Sequence, residues 1–329
     1  MKAGAASIAL AALLLVGCSS ARSPDSTSGR ERLTFNMSWL PQGSMGGVIA
    51  AIDRGYYAQA GLNVSVTRGF GGVRTTNELD QGMVDFAYGD PISVALNHAN
   101  GGDVRMIGPI NTEWPAGLCY VKQRHRIDRP ADLEGLTVGG GQTSPMQALA
   151  PVWLKRNGVD LRTVKLYQIE PALIMTSLIE GRIDAGECWK GNSLALFRKR
   201  AAQAGVTLGF LPYSTFGLDI YGSGILTTRR MIARHPATVR RFLAATYRGY
   251  AYAAAHPDAT VAMLTTRFPT LDAAITRQQL IETAALMRNA DRGFDPGQVG
   301  RSIDFLKQAY AFKDPLVASD IFVGVAPGR

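Results

Sequence analysis

The chain has 329 residues, of which 46% are hydrophobic and 19% are charged, and its formal net charge is +9. This length and composition are sufficient for two domains of ordinary size. The basic residues are scattered, and no Lys/Arg-rich block is interleaved with aromatic residues, which argues against nucleic acid as a partner. The positive charge indicates at most an attraction to an anionic membrane surface.

The first eighteen residues have the pattern of an export signal. Lys2 precedes an uncharged apolar run over 5–16, which ends in Leu15-Val16-Gly17-Cys18. This run is too short for a membrane-spanning helix and is typical of a cleavable signal peptide, here 1–17. A Leu-x-Gly-Cys box directs acylation in bacterial lipoproteins, so we predict lipidation of Cys18, with an ordinary buried thiol as the alternative. The polar segment 18–31 is then a flexible tether.

From residue 32, short apolar runs alternate with helical periods, a pattern typical of strand–helix units in a largely parallel sheet. Strands are predicted over 33–37, 62–67, 84–88 and 104–110, with helices over 46–58 and 91–100 and a further helix that follows the glycines of 69–72 and ends at 81. These elements form a first lobe. A polar, Pro-containing stretch over 111–116 predicts a crossing to a second lobe.

The second lobe repeats the same alternation. Its predicted strands are 118–122, 136–139, 164–167, 183–186 and 206–211, and its predicted helices are 145–157, 172–180 and one ending near 204. A return crossing over 216–222 leads to a strand at 225–228 and then to helices that begin near Pro236, Pro257 and Pro296. We therefore predict an α/β fold of two lobes joined by two hinge crossovers, with lobe 1 at 32–112 and 223–329 and lobe 2 at 113–222. The carboxyl ends of the strands would line the cleft.

Four short motifs carry a resemblance to a known family. They are Trp39-Leu40-Pro41, Gly55-Tyr56-Tyr57 with Gly61-Leu62-Asn63-Val64, Gly82-Met83-Val84-Asp85-Phe86, and Glu180-Gly181-Arg182-Ile183-Asp184-Ala185. In this order they resemble the sulfonate, nitrate, taurine and thiamine-pyrimidine-binding superfamily of ABC-importer subunits, over nearly the whole mature chain. The resemblance implies a periplasmic-binding-protein-like fold that closes on a small-molecule ligand. It also implies a monomer without a cofactor that works with ABC permease and ATPase subunits at the outer face of a bacterial membrane.

One branch of that superfamily is a cytoplasmic enzyme, a pyrimidine synthase that consumes its own His and a pyridoxal-bound Lys and uses an iron-binding cysteine cluster. Matching the motifs places that Lys and His at Gly89 and Ser93 of this chain, and the cysteine cluster at 218–222. The chain also has no nucleophile-elbow motif and no phosphate loop. We therefore predict that it is not an enzyme. A sensor that presents its ligand to a membrane receptor stays open as a third class, which neighbouring genes would distinguish.

Candidate ligand-binding residues follow the predicted strand ends. Trp39 and Trp189 are placed to cover a planar ligand, although either is equally explained as a core aromatic residue. Asp90 ends the strand at 84–88 and could bind ligand or cap the helix that starts at Pro91. Ser93, one turn into that helix, adds a hydroxyl group.

Two glycine-rich loops, at 69–72 and 139–144, each link a strand to a helix. Gly71 and Gly141 would let backbone N–H groups approach a ligand or an anion, and a simple tight turn is the alternative. Ser144, followed by Pro145 and Gln147, has capping-box spacing, which predicts a helix start there.

Glu187 directly follows the strand at 183–186. Its carboxylate could accept two hydrogen bonds from an aminopyrimidine edge, and a salt bridge to Lys190 is the alternative. Asp219 and Tyr221 lie on the return crossing and are predicted as ligand or hinge residues. Several carboxylates and two Trp residues would repel a sulfonate or nitrate and suit a neutral or cationic aromatic amine. We therefore predict a thiamine-pyrimidine precursor or similar heterocycle as ligand, with alkanesulfonate, taurine or nitrate as the alternative.

The remaining cysteines and the histidines give no metal-binding pattern. Cys119 and Cys188 would remain after lipidation, and the sequence leaves open whether they pair. The four histidines are dispersed without ligand spacing, so we predict no metal site and expect surface or helix-end positions for His98, His125, His235 and His256.

Overall fold

The computed structural model describes residues 29–142, 144 and 146–325, together with Met1. Cys18, the predicted signal peptide after Met1 and the tether up to residue 28 lie outside the described residues, as does Pro145. Two five-stranded sheets organise the described part of the chain. The first sheet combines four strands from before the first crossing with one from after the return crossing, and the strands of the second sheet lie between the two crossings.

The first sheet has the strand order β2-β1-β3-β10-β4. Its strands are β1 Glu31–Asn36, β2 Leu62–Thr67, β3 Phe86–Gly89, β4 Val104–Pro109 and β10 Gly224–Thr228. β1 runs parallel to β2 and β3, whereas β10 runs antiparallel to both β3 and β4.

The second sheet has the order β7-β6-β8-β5-β9. Its strands are β5 Ala116–Val121, β6 Thr137–Gly141, β7 Lys165–Ile169, β8 Ala185–Trp189 and β9 Leu208–Pro212. β6 runs parallel to β7 and β8, and β5 runs antiparallel to β8 and β9. The predicted parallel arrangement therefore holds for four strands of each sheet. β5 and β10 are the exceptions because each follows a crossing and enters its sheet from the edge where the other strands end.

Helices cover both sheets. The α-helices of the described residues are α1 Gly46–Asp53, α2 Tyr56–Gln59, α3 Gly72–Asp80, α4 Pro91–Ala99, α5 Met146–Arg156, α6 Ile174–Ile179, α7 Ser193–Gln203, α8 Arg229–Arg234, α9 Pro236–Ala255, α10 Pro257–Arg267, α11 Ala273–Leu286 and α12 Pro296–Ala309. The single helix predicted over 46–58 is divided in two, because Gly55 adopts a left-handed conformation with φ of 71°. Within the described part of the chain, no helix is long and apolar enough to cross a membrane.

Aromatic stacking against α9 anchors the core of the first sheet. The ring of Phe242 lies parallel to that of Phe86, with centroids 3.8 Å apart, and also stacks on Tyr57. α1 and α9 approach closely at Gly249, where a Cβ atom would lie 2.1 Å from the carbonyl oxygen of Gly47. This glycine is therefore needed for the helix contact that buries the aromatic cluster.

A disulfide bond between Cys119 and Cys188 joins β5 to β8 in the second sheet, which answers the question of pairing that the sequence left open. Both cysteines are fully buried. Cys188 lies between Glu187 and Trp189 in the chain, so the bond attaches the strand that carries two candidate site residues to the strand that follows the first crossing.

The last two helices contact elements of both sheets. α11 packs against α7 and against the 3-10 turn Gly43–Met45, and α12 packs against α5. Beyond α12, Phe322 forms a bridge with Met106 of β4. The predicted assignment of the C-terminal helices to lobe 1 remains a prediction.

Candidate functional site

Glu187 is a buried carboxylate in the middle of β8 and is 4% exposed. The prediction that it directly follows its strand is wrong, because that strand extends to Trp189. The Oε2 of Glu187 accepts a hydrogen bond from the backbone N–H of Gly141 at 3.1 Å. Its Oε1 accepts from the hydroxyl of Ser144 at 2.5 Å and from the indole Nε1 of Trp189 at 2.6 Å. The predicted alternative, a salt bridge from Glu187 to Lys190, is wrong. The Lys190 ammonium instead pairs with Glu113 at 2.8 Å, because the first crossing brings that carboxylate alongside it.

The environment of Glu187 acts on its charge in two opposed ways. Burial raises the pKa of Glu187, while the hydrogen bonds from Ser144, Gly141 and Trp189 lower it. All three donors belong to uncharged groups. No cationic side chain therefore belongs to the hydrogen-bond set of Glu187.

Ser144 serves both Glu187 and the start of α5. Its Oγ accepts a hydrogen bond from the N–H of Met146 at 3.1 Å while its hydroxyl donates to Glu187. The predicted helix start is therefore confirmed. The Gln147 side chain does not complete a capping box, because its amide donates to the carbonyl oxygen of Gly141 at 2.7 Å. The glycine loop is thus attached to both the carboxylate and the helix.

Asp90 is a second buried carboxylate, at the end of β3, and it caps α4. Its Oδ1 accepts from the N–H groups of Ile92 at 3.0 Å and Ser93 at 2.9 Å, and its Oδ2 accepts from the Ser93 hydroxyl at 2.9 Å. The capping role is confirmed, and ligand contact by Asp90 or Ser93 remains a prediction. Burial raises the pKa of Asp90, against the hydrogen bonds that lower it.

The first glycine loop lies directly against Asp90. A Cβ atom on Gly72 would lie 2.6 Å from the Ser93 Oγ and 2.7 Å from the Asp90 Oδ2, so a larger residue here would displace the hydrogen-bonded pair. The N–H of Gly71 donates to the carbonyl oxygen of Ser38 at 2.8 Å. That donor therefore tightens the loop, which favours the tight-turn interpretation of Gly71.

Trp39 follows a strained residue at the end of β1. Ser38 adopts a left-handed conformation with φ of 66°, and its N–H donates to the Asn36 side chain at 2.8 Å. Non-glycine residues in this region store strain that is common in functional loops. The carbonyl of Trp39 accepts from Gly69 at 3.1 Å, so the loops after β1 and β2 form one unit that carries the half-buried indole.

Residues of the first crossing connect the two carboxylate centres. The ring of Trp114 contacts that of Trp189, with centroids 5.3 Å apart, and Trp189 in turn donates to Glu187. On the other side, the Nδ2 of Asn111 donates to the hydroxyl of Tyr88 at 3.3 Å, two residues before Asp90. Burial raises the pKa of Tyr88 to about 12, with a contribution from the charge of Asp90.

Tyr310, just beyond α12, is a further aromatic residue near the Asp90 centre. Burial raises the pKa of its phenol, and the charge of Asp90 raises it further, which places the two groups near each other. Tyr310 was not among the residues predicted for the site, because no local sequence signal associates it with Asp90, 220 positions earlier in the chain.

Asp219 and Tyr221 lie on the return crossing and hold α12. The Asp219 carboxylate pairs with Arg301 at 2.6 Å, and the Tyr221 hydroxyl accepts from the N–H of Asp295 at 2.6 Å. Among the described residues, their side-chain hydrogen bonds join the α12 region and not Asp90 or Glu187. A ligand role for Asp219 and Tyr221 is therefore less well supported by geometry than one for Glu187.

The resulting arrangement is a set of buried acceptors with indole rings beside them. Among residues 29–142, 144 and 146–325, no group of three His, Cys, Asp or Glu side chains could hold a metal ion. The carboxylates of Glu187 and Asp90 are suited to accepting hydrogen bonds and to stabilising positive charge. Such a set favours binding of an N–H-bearing molecule.

Comparison with known proteins places the chain in a family. The model of the family described as NMT1/THI5 like matches residues 42–260. The riboflavin-binding protein RibY of Chloroflexus aurantiacus is 23% identical over 318 residues, covering 92% of this chain and 88% of that protein. The formylaminopyrimidine-binding protein of Halalkalibacterium halodurans is also 23% identical, over 97% of both chains.

A solved structure shows the same fold. The alkanesulfonate-binding protein SsuA from Xanthomonas axonopodis pv. citri, bound to MOPS, superposes with a TM-score of 0.64 at 16% identity, covering 89% of this chain and 98% of that one. The fold is therefore that of the periplasmic binding proteins, with two α/β lobes and two crossovers, as the sequence predicted. Since the family model matches more than half of its length, this chain belongs to the NMT1/THI5-like family.

Proposed function

We propose that this chain is the solute-binding component of an ABC importer and captures a small nitrogen heterocycle, such as a thiamine-pyrimidine precursor. The observation that carries the proposal is the environment of Glu187. This carboxylate is buried, accepts only from uncharged donors and has an indole hydrogen-bonded to it. A planar ligand with N–H groups would supply further donors to it and a surface on which the aromatic residues can pack.

The relatives support this class of ligand. Riboflavin and formylaminopyrimidine, which two relatives are named for, are both planar nitrogen heterocycles. The alternative ligand, a sulfonate, is supported by the fold of the alkanesulfonate-binding protein. It is disfavoured by charge, because an anion that approached Glu187 and Asp90 would meet two buried carboxylates without a cationic partner in their hydrogen-bond sets.

Binding without chemistry is the proposed mechanism. A ligand that contacts both the Glu187 and the Asp90 centres would stabilise the closed arrangement of the lobes by its greater affinity for that form. The permease would then recognise the closed form. A sensor protein would close on its ligand in the same way, but a membrane receptor would recognise its closed form in place of the permease.

The positions that match the enzyme branch of the resemblance are occupied by residues that serve packing. A Cβ atom on Gly89 would lie 2.4 Å from the Cδ1 of Leu226, so a Lys there would require this buried side chain to shift. Ser93 donates its hydroxyl to Asp90. These contacts support a binding protein and not a self-consuming synthase.

A lipid anchor at Cys18 completes the proposal and is supported by the sequence pattern alone. Acylation would hold the binding lobes beside the permease through the tether at 18–31. Replacing Cys18 with Ser should release the protein from the membrane fraction of a bacterial host into the soluble exported fraction. Mass spectrometry of the amino-terminal peptide of the wild-type chain should show the added acyl chains, and an unmodified peptide would contradict the anchor.

Ligand class is tested by titration calorimetry and thermal shift on the mature chain with aminopyrimidines, riboflavin, taurine and nitrate. We expect stabilisation by at least one heterocycle, and an at least ten-fold loss of its affinity in Glu187→Gln combined with Trp39→Ala. Glu180→Gln is the matched control, since that exposed carboxylate pairs with Arg182 on the surface of the same lobe. Stabilisation by taurine or nitrate alone would contradict the proposal, and unchanged affinity in the double variant would show that the cleft is misplaced.

A further inference from the structure

The first crossing contains two buried polar atoms without a hydrogen-bond partner. Among the described residues, three buried side-chain atoms have none: Arg105 Nε, Asn111 Oδ1 and Trp114 Nε1. Two of these three lie within four residues of each other. Asn111 is 4% exposed and Trp114 is fully buried. The pair consists of one acceptor and one donor.

Unpartnered buried groups are costly, since leaving a donor or acceptor unsatisfied costs about 1–3 kcal/mol. Native structures retain few of them, and those that remain call for a specific explanation. A site that waits for a ligand is such an explanation, because the ligand supplies the absent partners.

Neighbouring contacts hold both residues in place. The backbone N–H of Asn111 donates to the carbonyl of Ser223 at 2.8 Å, which ties the first crossing to the second. Its side-chain Nδ2 donates to Tyr88, and the ring of Trp114 packs on Trp189. Because these contacts restrict rotation, neither residue can easily turn to find another partner within the protein.

The two atoms also belong to the segment that joins the carboxylate centres. Trp114 contacts the residue that donates to Glu187, and Asn111 binds the tyrosine two positions before Asp90. Lobe closure would bend the first crossing. The donor of Trp114 and the acceptor of Asn111 that have no partner lie in this same segment.

We propose that Trp114 Nε1 and Asn111 Oδ1 bind one edge of the ligand. The indole N–H of Trp114 donates to a ring nitrogen or carbonyl, and the Asn111 oxygen accepts from an adjacent N–H. This inference rests on the proposed function and narrows it. A sulfonate or nitrate offers acceptors only and would satisfy Trp114 but not Asn111. The amino-pyrimidine edge and the lactam edge of a flavin each offer an acceptor beside a donor, so they satisfy both residues.

The test for Trp114 is the replacement Trp114→Phe, which keeps an aromatic ring and removes the N–H. Affinity for 4-amino-2-methylpyrimidine, measured by NMR titration, should fall about ten-fold, whereas stability of the unliganded protein to urea should be unchanged or higher. Trp153→Phe is the matched control, because the buried Trp153 indole already donates to the carbonyl of Tyr213 at 3.1 Å. That control should lose stability and keep wild-type affinity.

The test for Asn111 pairs a protein change with a ligand change. Asn111→Leu should weaken binding of 4-amino-2-methylpyrimidine about ten-fold and leave binding of 2,4-dimethylpyrimidine, which lacks the amino donor, at the wild-type level. If the affinities for both probes fall equally, the substitution has caused a general loss of structure, and the proposed hydrogen bond from the ligand to Asn111 is wrong.

The outcomes separate the two proposals. If the wild-type chain binds the aminopyrimidine and both variants bind it equally well, the inference fails and the proposed function stands. If Trp114→Phe destabilises the unliganded protein as Trp153→Phe does, the indole N–H already has a partner and the inference also fails. If the wild-type chain binds neither probe nor riboflavin, the proposed function fails and the inference with it.

Discussion

The indole Nε1 of Trp189 donates a hydrogen bond to the Oε1 of Glu187 over 2.6 Å. The two residues are separated by one position near the end of β8, so their side chains lie on the same face of the strand. Either residue alone had a second interpretation from the sequence, as a core aromatic or as half of an ion pair. Their contact joins them into one polar unit, in which the indole orients the carboxylate.

Trp189→Phe should therefore lower stability through Glu187. Removing the donor leaves a buried carboxylate with two hydrogen bonds instead of three, at an expected cost of about 1–3 kcal/mol in the free energy of unfolding. Urea denaturation measures this cost. The loss should be smaller in a Glu187→Gln background, and additive effects of the two substitutions in a double-mutant cycle would show that the hydrogen bond contributes nothing.

The pH dependence of stability should reveal both buried carboxyl groups. Burial raises the pKa of Asp90 and that of Glu187 above their ordinary values. Between the unfolded and folded pKa values the folded protein binds more protons than the unfolded chain, so the free energy of unfolding decreases as pH rises. The contribution of these groups is fully present below about pH 4 and is lost as pH rises through their folded pKa values.

Asp90→Asn and Glu187→Gln should each flatten this dependence. Asn is also a good helix cap, so the first substitution removes the charge with little effect on α4. Thermal unfolding between pH 4 and pH 8 compares each variant with the wild type and with the exposed control Glu180→Gln. Each pKa unit of difference corresponds to about 1.4 kcal/mol. Parallel curves for the wild type and both buried variants would show that neither group titrates differently in the folded state.

Gly72→Ala should disturb the Asp90 centre. The added methyl group would lie 2.6 Å from Ser93 Oγ and 2.7 Å from Asp90 Oδ2, which forces these side chains or the helix start to shift. Overpacking of this kind costs about 1–3 kcal/mol, and ligand affinity should fall as well. Calorimetric unfolding and ligand titration measure the two effects.

Gly300→Ala is the matched control for this change. Gly300 lies within α12, and an added Cβ there meets no atom within 4 Å. Alanine in a helix interior is more favourable than glycine by about 0.5–1 kcal/mol, so this variant should gain stability and keep its affinity. If Gly72→Ala is as stable as Gly300→Ala, the loop accommodates the added methyl group and the prediction is wrong.

Local signals explain which parts of the fold could be predicted. The strand Leu62–Thr67 was predicted at its observed bounds, because glycine precedes it and apolar residues alternate along it. The helix after Asp90 was predicted from a capping residue followed by Pro91. Such features depend on neighbours in sequence, and the same dependence placed Asp90 directly after its strand. Glu187 was predicted to follow its strand and instead lies within β8, because the pairing with β5 continues to Trp189.

Contacts made across the fold could not be predicted in this way. Lys190 pairs with Glu113, 77 positions away, and Asp219 pairs with Arg301, 82 positions away. The sequence equally could not indicate that Trp114 has an unused donor, because hydrogen-bond satisfaction is a property of the packed structure. The first crossing was predicted as a connection, and its contribution to the site became visible only with its neighbours in place.

The disulfide bond should support both stability and ligand affinity. Cys119 and Cys188 are 69 positions apart, and closing a loop of this size typically stabilises a protein by about 2–4 kcal/mol. Replacing both cysteines with Ala should remove this contribution and loosen the strand that carries Glu187 and Trp189. Thermal unfolding should then show a lower melting temperature, and ligand titration should show a lower affinity.

Reduction of the wild-type protein provides an independent check. Treatment with a thiol reductant under mildly denaturing conditions should give the same loss of stability as the double Cys→Ala variant, and that variant should not respond to the reductant. If ligand affinity is unchanged in the reduced protein, β8 is held in place by its sheet partners alone.

Gln279 should control how firmly the two sheets are held together. Its side chain accepts from the N–H of Gly43 at 2.8 Å and donates to the carbonyl of Asn192 at 2.8 Å. The first partner precedes α1 beside the first sheet, and the second follows β8 of the second sheet. One buried amide on α11 thus links the two halves that line the candidate site.

Gln279→Ala would leave both backbone groups without their partner, at about 1–3 kcal/mol for each one that stays buried. Because water reaches these groups when the sheets separate, the substitution favours the open arrangement. We expect a larger radius of gyration in X-ray scattering of the unliganded protein and faster ligand dissociation. Gln278→Ala, at the neighbouring exposed position, is the control and should leave both quantities unchanged. Equal scattering and dissociation in the two variants would show that the Gln279 side chain does not couple the two halves.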